Sequence, residues 1–207
     1  QLVSVAMGSG AVYLIAFSEP LLRLWTQNTE LAHNAAPIVS LLALGNLLNG
    51  LSLIPYVTQL AHGWTSLAIR INICAVLLIV PALIVVTPIH GAKGAAWIWV
   101  ALNAFYVLIG AQLMFRRLLR EEKWLWYSRD LLRPLLAAGT AAVMLNWLLP
   151  LPKGEALQFV WLLAAGCGVV ISATMSADLT RNLLKRCASL ALLSIQSSTR
   201  VLKRYES

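Results

Sequence analysis

The sequence predicts an all-α fold, a polytopic membrane bundle of six transmembrane helices, and three observations carry that prediction. The first is composition. Of 207 residues 59% are hydrophobic and 12% charged, with a mean hydropathy of +0.76, outside the range of soluble globular proteins. The second is the segregation of charge. Residues 1–18, 31–69, 71–92, 94–115, 134–152 and 156–177 contain no Lys, Arg, Asp or Glu. Each block can hold a helix of about 20 residues, enough to cross a hydrocarbon core, although the first is short. The third is a polar stripe in the second block. Gly45, Asn49, Ser52, Tyr56, Gln59 and Gly63 recur at spacings of four, three, four, three and four, which places them on one helical face. At 1.5 Å per residue the stripe is roughly 27 Å long, close to the thickness of the hydrocarbon core. Lipid cannot satisfy amides and hydroxyls, so this face must meet protein or water.

The chain opens with Gln1 inside an apolar run, without the basic region that begins a signal peptide. Residues 2–17 therefore read as the continuation of a membrane region whose start lies upstream. The first span is expected to end at Phe17-Ser18-Glu19-Pro20, leaving 21–25 as an amphipathic stretch with Trp25 at the membrane surface. Asn34 is the expected cap of the second helix, with Pro37 in its first turn. Pro55 removes a backbone donor beside Tyr56 and is expected to bend that helix.

The third helix is expected over 67–86, with Arg70 and Asn72 near its start and Pro81 further on. A glycine-rich loop over 87–94 then leads into a fourth helix opened by Ala95 and Ala96. That helix carries a second stripe, Asn103, Tyr106 and Gly110. Small residues around this loop let the third and fourth helices approach closely. Residues 116–130 mix both charges with Trp124, Trp126 and Tyr127, the composition of a loop or short helix in the headgroup region. The fifth helix (134–149) and the sixth (156–176) are joined by a tight turn holding Pro150, Pro152 and Gly154. The tail, 178–207, reads as a basic amphipathic helix on the membrane surface with a frayed end.

Six alternating spans divide the loops into two sets. One holds three basic residues, Arg23, Lys93 and Lys153, and the other, which includes 116–133 and the tail, holds thirteen. The basic set belongs on the cytoplasmic side, so the C-terminus is expected there. This bias accounts for the net charge of +8 without a nucleic-acid partner.

No Asp or Glu lies in any span, and His33, His62 and His90 sit near loops without ligand spacing. The sequence therefore offers no metal site, cofactor site or nucleophile–base pair, and catalysis is not expected. Cys74, Cys167 and Cys187 show no CxxC spacing, and the first two lie inside apolar spans, so all three read as small hydrophobes. The candidate functional residues are those that could line a polar path: Asn46, Asn49, Ser52, Tyr56, Gln59, Arg70, Asn72 and Asn103. Each of the polar groups could instead bond a neighbouring helix within a packed bundle. Arg70 has two readings, snorkelling to the headgroups or a fixed charge suited to a phosphate.

The order Phe17-Ser18-Glu19-Pro20-Leu21-Leu22-Arg23-Leu24-Trp25, Pro55 leading into Gln59-Leu60-Ala61-His62-Gly63, Asn72, and Pro88-Ile89-His90-Gly91-Ala92-Lys93-Gly94-Ala95-Ala96 resembles the second lobe of polysaccharide-biosynthesis flippases. These are the O-antigen and exopolysaccharide translocases of the multidrug/oligosaccharidyl-lipid/polysaccharide exporter superfamily. The resemblance spans about residues 10–117, and its motifs are loose. It implies two lobes of 12 to 14 helices in all, working by alternating access without covalent chemistry. Residues 1–117 would be part of the second lobe, 118–177 an interfacial loop with two appended helices, and 178–207 a cytoplasmic tail. It further implies an undecaprenyl-pyrophosphate-linked oligosaccharide as substrate, the bacterial inner membrane as location, and membrane lipids and a missing N-terminal lobe as partners. The alternatives are a multidrug or small-molecule exporter of the same superfamily, or a membrane-bound glycosyltransferase or polymerase component. The latter would need acidic residues or a large extramembrane domain, and neither is visible in the sequence.

Overall fold

A computed structural model describes residues 1–118, 121–178 and 182. Among them 91% are helical and none is in a strand. Among the described residues, five helical stretches are long and apolar enough to cross a membrane. In order, the helices are α1 (Leu2–Thr26), α2 (Thr29–Ala61) and α3 (Thr65–Phe105), a wide π-helical turn (Tyr106–Gly110), then α4 (Ala111–Arg117) and α5 (Lys123–Leu125). A second π-helical turn (Trp126–Leu132) then leads into α6 (Arg133–Leu148), and α7 (Glu155–Ser176) follows. The predicted tail, apart from Asp178 and Asn182, lies outside the described residues.

The 53-residue stretch Thr65–Arg117 is the longest candidate span, yet it is not straight. Gly91 alone within α3 leaves helical conformation, at φ 58° and ψ −149°, a region that only glycine occupies without strain. There the chain turns back on itself. The Tyr106 hydroxyl donates to Asn72 Oδ1 at 2.8 Å across 34 residues, a separation that would be roughly 51 Å along a continuous helix. The Arg117 guanidinium lies 4.3 Å from the Trp64 ring centroid, and Ile71 lies beside Gly110. These pairs straddle Gly91 about evenly, so residues 65–90 and 92–117 form an antiparallel hairpin. The expected glycine-rich loop over 87–94 is thus reduced to one glycine between helical arms.

The rest of the bundle gathers on α1, which packs against α2, α6 and α7. Fully buried Phe17 joins Ala138, Ala142, Leu162, Ala165 and Val169 in one core, with Tyr13 and Trp161 at ring distances of 5.3 and 5.4 Å. The alanines let the helix axes come close, and polar groups then bond across them. Tyr13 donates to the Leu162 carbonyl at 2.9 Å, Ser172 to that of Ala137 at 2.9 Å, and the Ser18 and Ser40 hydroxyls meet at 3.0 Å. A second core, with Ala11, Ala43, Leu47, Leu51 and Val107, joins α1 to α2 and the first π-helical turn. Residues 65–90 bury only Ala68, Ile71 and Ala75 and are otherwise half-buried or exposed, with large apolar side chains such as Ile73, Leu77 and Ile84 pointing outward. That is the surface lipid accepts.

Three expected helix boundaries move. The first helix does not stop at Pro20: Phe17 takes non-helical φ/ψ and the helix resumes to Thr26. Pro20 cannot donate to the carbonyl four residues back, which bends α1 there without ending it. Leu21 and Leu24 consequently pack on the Phe17 core, while Trp25 is exposed. The second helix is capped by Asn28, whose side chain accepts from the Leu31 amide at 3.0 Å, and not by Asn34, which lies inside it. Asn28 precedes a turn of polar residues that need no membrane, so the helix begins before its apolar section does. Finally, residues 123–148 form one candidate span, because the second π-helical turn joins α5 to α6 just ahead of Pro134.

The ends of several helices meet at one end of the bundle. Gln1 Nε2 donates to Asp130 Oδ1 at 2.7 Å, and Arg129 donates from Nε and Nη2 to Asp178 Oδ2 at 3.0 and 2.7 Å. The Trp64–Arg117 pair belongs to the same end, since the ring of Phe115, in α4 with Arg117, lies 5.4 Å from that of Trp126, in the π-helical turn that holds Asp130.

Spin labels placed at exposed Ile69 and Leu108 test the hairpin. Double electron–electron resonance should give a separation under roughly 30 Å, from helix axes 8–10 Å apart plus the label arms. A straight stretch would place them roughly 58 Å apart.

Candidate functional site: a polar cavity between α2 and the α3 hairpin

The stripe on α2 faces the hairpin, and between them lies a cavity of about 430 Å³. Six of the eight candidate residues line it: Asn49, Ser52, Tyr56 and Gln59 from α2, Asn72 from the first arm, and Asn103 from the second. Pro55, Trp99, Leu102, Tyr106 and Gly110 complete much of the wall. Burial defines a floor and a rim. Gln59 and Asn103 are 3% and 1% exposed, and Pro55 is fully buried, whereas Asn49, Tyr56 and Asn72 are exposed.

Most polar groups here are engaged with each other. Asn103 Nδ2 donates to the Trp99 carbonyl at 2.8 Å, and Trp99 Nε1 donates to Asn46 Oδ1 at 3.3 Å. Ser52 donates back to the Asn49 carbonyl at 2.7 Å, as hydroxyls do within helices, and Tyr106 donates to Asn72. Gln59 differs. Its Oε1 is buried without a hydrogen-bond partner among the described residues, a condition that costs a buried acceptor about 1–3 kcal/mol.

Asn46 and Arg70 do not line the cavity. Asn46 is exposed and acts through its bond to Trp99. Arg70 is also exposed. Ile71 and Asn72 turn inward, and Arg70 shares the helix face of Ile73, Leu77 and Ile84, all exposed. No lining residue is Asp, Glu, Lys, Arg or His. The arrangement can solvate a polar group by hydrogen bonding and aromatic contact, without placing a charge beside it.

Trp99 is the hydrogen-bonding wall residue not picked out from sequence. The signal was present: Trp99, Asn103, Tyr106 and Gly110 continue the second stripe at four, three and four. What spacing alone does not reveal is its seat. A Cβ at Gly45 would overlap the Trp99 ring, so Gly45 is the gap into which Trp99 closes. The π-helical turn Tyr106–Gly110 has no sequence signal either, and such turns recur where a helix re-aims side chains at functional sites.

No family model matches the chain, and neither a curated protein sequence nor a solved structure matches it. The long apolar helices are consistent with a multi-pass helical membrane protein.

Gly45→Ala should push Trp99 out of its seat and lower stability by about 1–3 kcal/mol, the usual cost of overpacking. In a double-mutant cycle read by thermal unfolding in detergent, Gly45→Ala combined with Trp99→Leu should lose less than the sum of the two single changes. Additive losses would mean the two residues are independent.

Proposed function

We propose that the chain is part of a transporter that moves a lipid-linked oligosaccharide across the bacterial inner membrane by alternating access. The observation that carries this reading is the amide-bearing cavity between α2 and the hairpin, lined by residues from three helical segments and open at its rim. A bundle held together only by packing gains nothing from leaving Gln59 Oε1 buried and unpaired, whereas a translocation path requires groups that ligand or water can satisfy. The substrate class follows from the sequence resemblance to polysaccharide-biosynthesis flippases, in which this lobe faces another across the path.

We read six crossings in this chain, counting the two arms on either side of Gly91 separately. Each arm is roughly 39 Å long, sufficient for the hydrocarbon core. Six alternating passes bring Gln1, the turn at Trp64, the segment 117–130 and Asp178 to one side. Support comes from the contacts Gln1–Asp130, Trp64–Arg117 and Arg129–Asp178. That side carries most of the basic residues, and we assign it to the cytoplasm.

Single cysteines at Asn49, Tyr56 and Asn72, in a chain whose Cys74, Cys167 and Cys187 are serine, should react with a membrane-impermeant thiol reagent in intact or inverted vesicles. Cysteines at Leu77 and Ile84 should not. Silence at all three rim positions from both sides would sink the path. Arg70 supplies a separate check. Its place on the outward face predicts that Arg70→Lys retains surface polysaccharide production, because a snorkelling cation needs only its charge, while a bidentate phosphate contact would not survive the exchange.

A further inference from the structure

We infer that the cavity under Tyr56 is a binding site for an uncharged, hydroxyl-bearing ligand, a glycosyl unit, and that Gln59 is the group on its floor that pairs with it. The inference deepens the transport reading and rests on it for the ligand class. The first argument is the state of the hydrogen bonds. The Trp99 indole, the Tyr106 hydroxyl, the Asn103 Nδ2 and the Ser52 hydroxyl already donate within the protein. The unmet demand is an acceptor, Gln59 Oε1, 97% buried by the residue's 3% exposure and lining the cavity. A ligand that completes the site brings a donor. Turning the carboxamide over exchanges acceptor for donor, and a hydroxyl, which does both, satisfies either orientation.

The second argument is charge. The lining contains no ionisable side chain other than tyrosine, so a phosphate here would be desolvated without a counter-charge, which buried anions do not tolerate. A neutral polyol loses far less. Third, the cavity of about 430 Å³ falls in the size range of small-molecule sites, roughly 300–1,000 Å³. Trp99, Tyr56 and Tyr106 stand around the same space as Gln59 and Asn103, and this mixture of aromatic and amide groups matches a ring that is apolar on its faces and polar at its edge.

Saturation-transfer NMR on the full chain in lipid nanodiscs, with N-acetylglucosamine as the probe and inorganic pyrophosphate as competitor, tests the site. The wild type should transfer saturation to the sugar, and pyrophosphate should not displace it. Gln59→Leu should weaken the sugar about tenfold, the loss of one hydrogen bond to a buried group, and should leave the melting temperature unchanged or higher, because it removes an unpaired buried acceptor. Undiminished sugar binding in Gln59→Leu, no sugar binding in the wild type, or displacement by pyrophosphate each overturns the inference. So does a lower melting temperature for Gln59→Leu, which would make Gln59 a packing group. Thiol reactivity at the cavity rim is read separately, so transport through this path can stand even where the sugar site fails.

Discussion

The turn at Gly91 is the constraint on which the rest of the structure depends. It converts an apolar stretch of 53 residues into two arms, and the register of those arms decides which side chains meet. With the chain reversing at Gly91, Asn72 falls opposite Tyr106, Ile71 opposite Gly110, and Trp64 opposite Arg117. A turn displaced by two residues would rotate one arm by about half a turn relative to the other. It would present Arg70 or Cys74 to α2 in place of Asn72. The left-handed backbone at this position excludes side chains bearing a Cβ more effectively than any contact around it, since open space surrounds the glycine. The strain is conformational, not steric crowding by neighbours.

From this register the cavity follows in steps. The stripe on α2 has amides and hydroxyls at intervals of three and four, and the hairpin returns a second polar stripe on Asn103 and Tyr106 to face it. Two polar faces in contact could satisfy each other fully. Here they do so only in part, because Trp99 swings into the gap at Gly45 and the π-helical turn re-aims Tyr106 toward Asn72. The space left over is the cavity, and Gln59 in its lining keeps a buried Oε1 without a partner among the described residues.

Much of this was legible in the sequence, and the physical reason is periodicity. Asn49, Ser52, Tyr56 and Gln59 on α2, with Asn72 and Asn103, could be singled out because helical spacing is rigid and a membrane forbids unsatisfied polar faces, and the structure brings all six around one cavity. Boundaries were less legible. Asn34 and Asn28 are equally good caps by residue type, and the choice between them is made by the Leu31 amide. Pro20 reads as a stop, yet α1 bends at Phe17 and continues, because Leu21 and Leu24 find apolar partners on the Phe17 core. Arg70 shows the limit of proximity in sequence. It adjoins Asn72, but one residue on a helix is a rotation of about 100°, enough to turn a guanidinium out of a cavity that its neighbours line.

That rotation separates two tasks that one residue could have combined. A cation within the cavity would attract a phosphate strongly and also release it slowly, since a desolvated ion pair is costly to break. A neutral floor with a single unmet acceptor binds weakly and exchanges readily. For the proposed transporter, which would have to let its ligand leave on the opposite side, weak, uncharged pairing deep in the cavity is the better chemistry, and charge belongs at the ends. In this chain the charges are placed that way: Arg117, Arg129, Arg133 and Asp178 gather at one end of the bundle, and the lining between α2 and the hairpin has none.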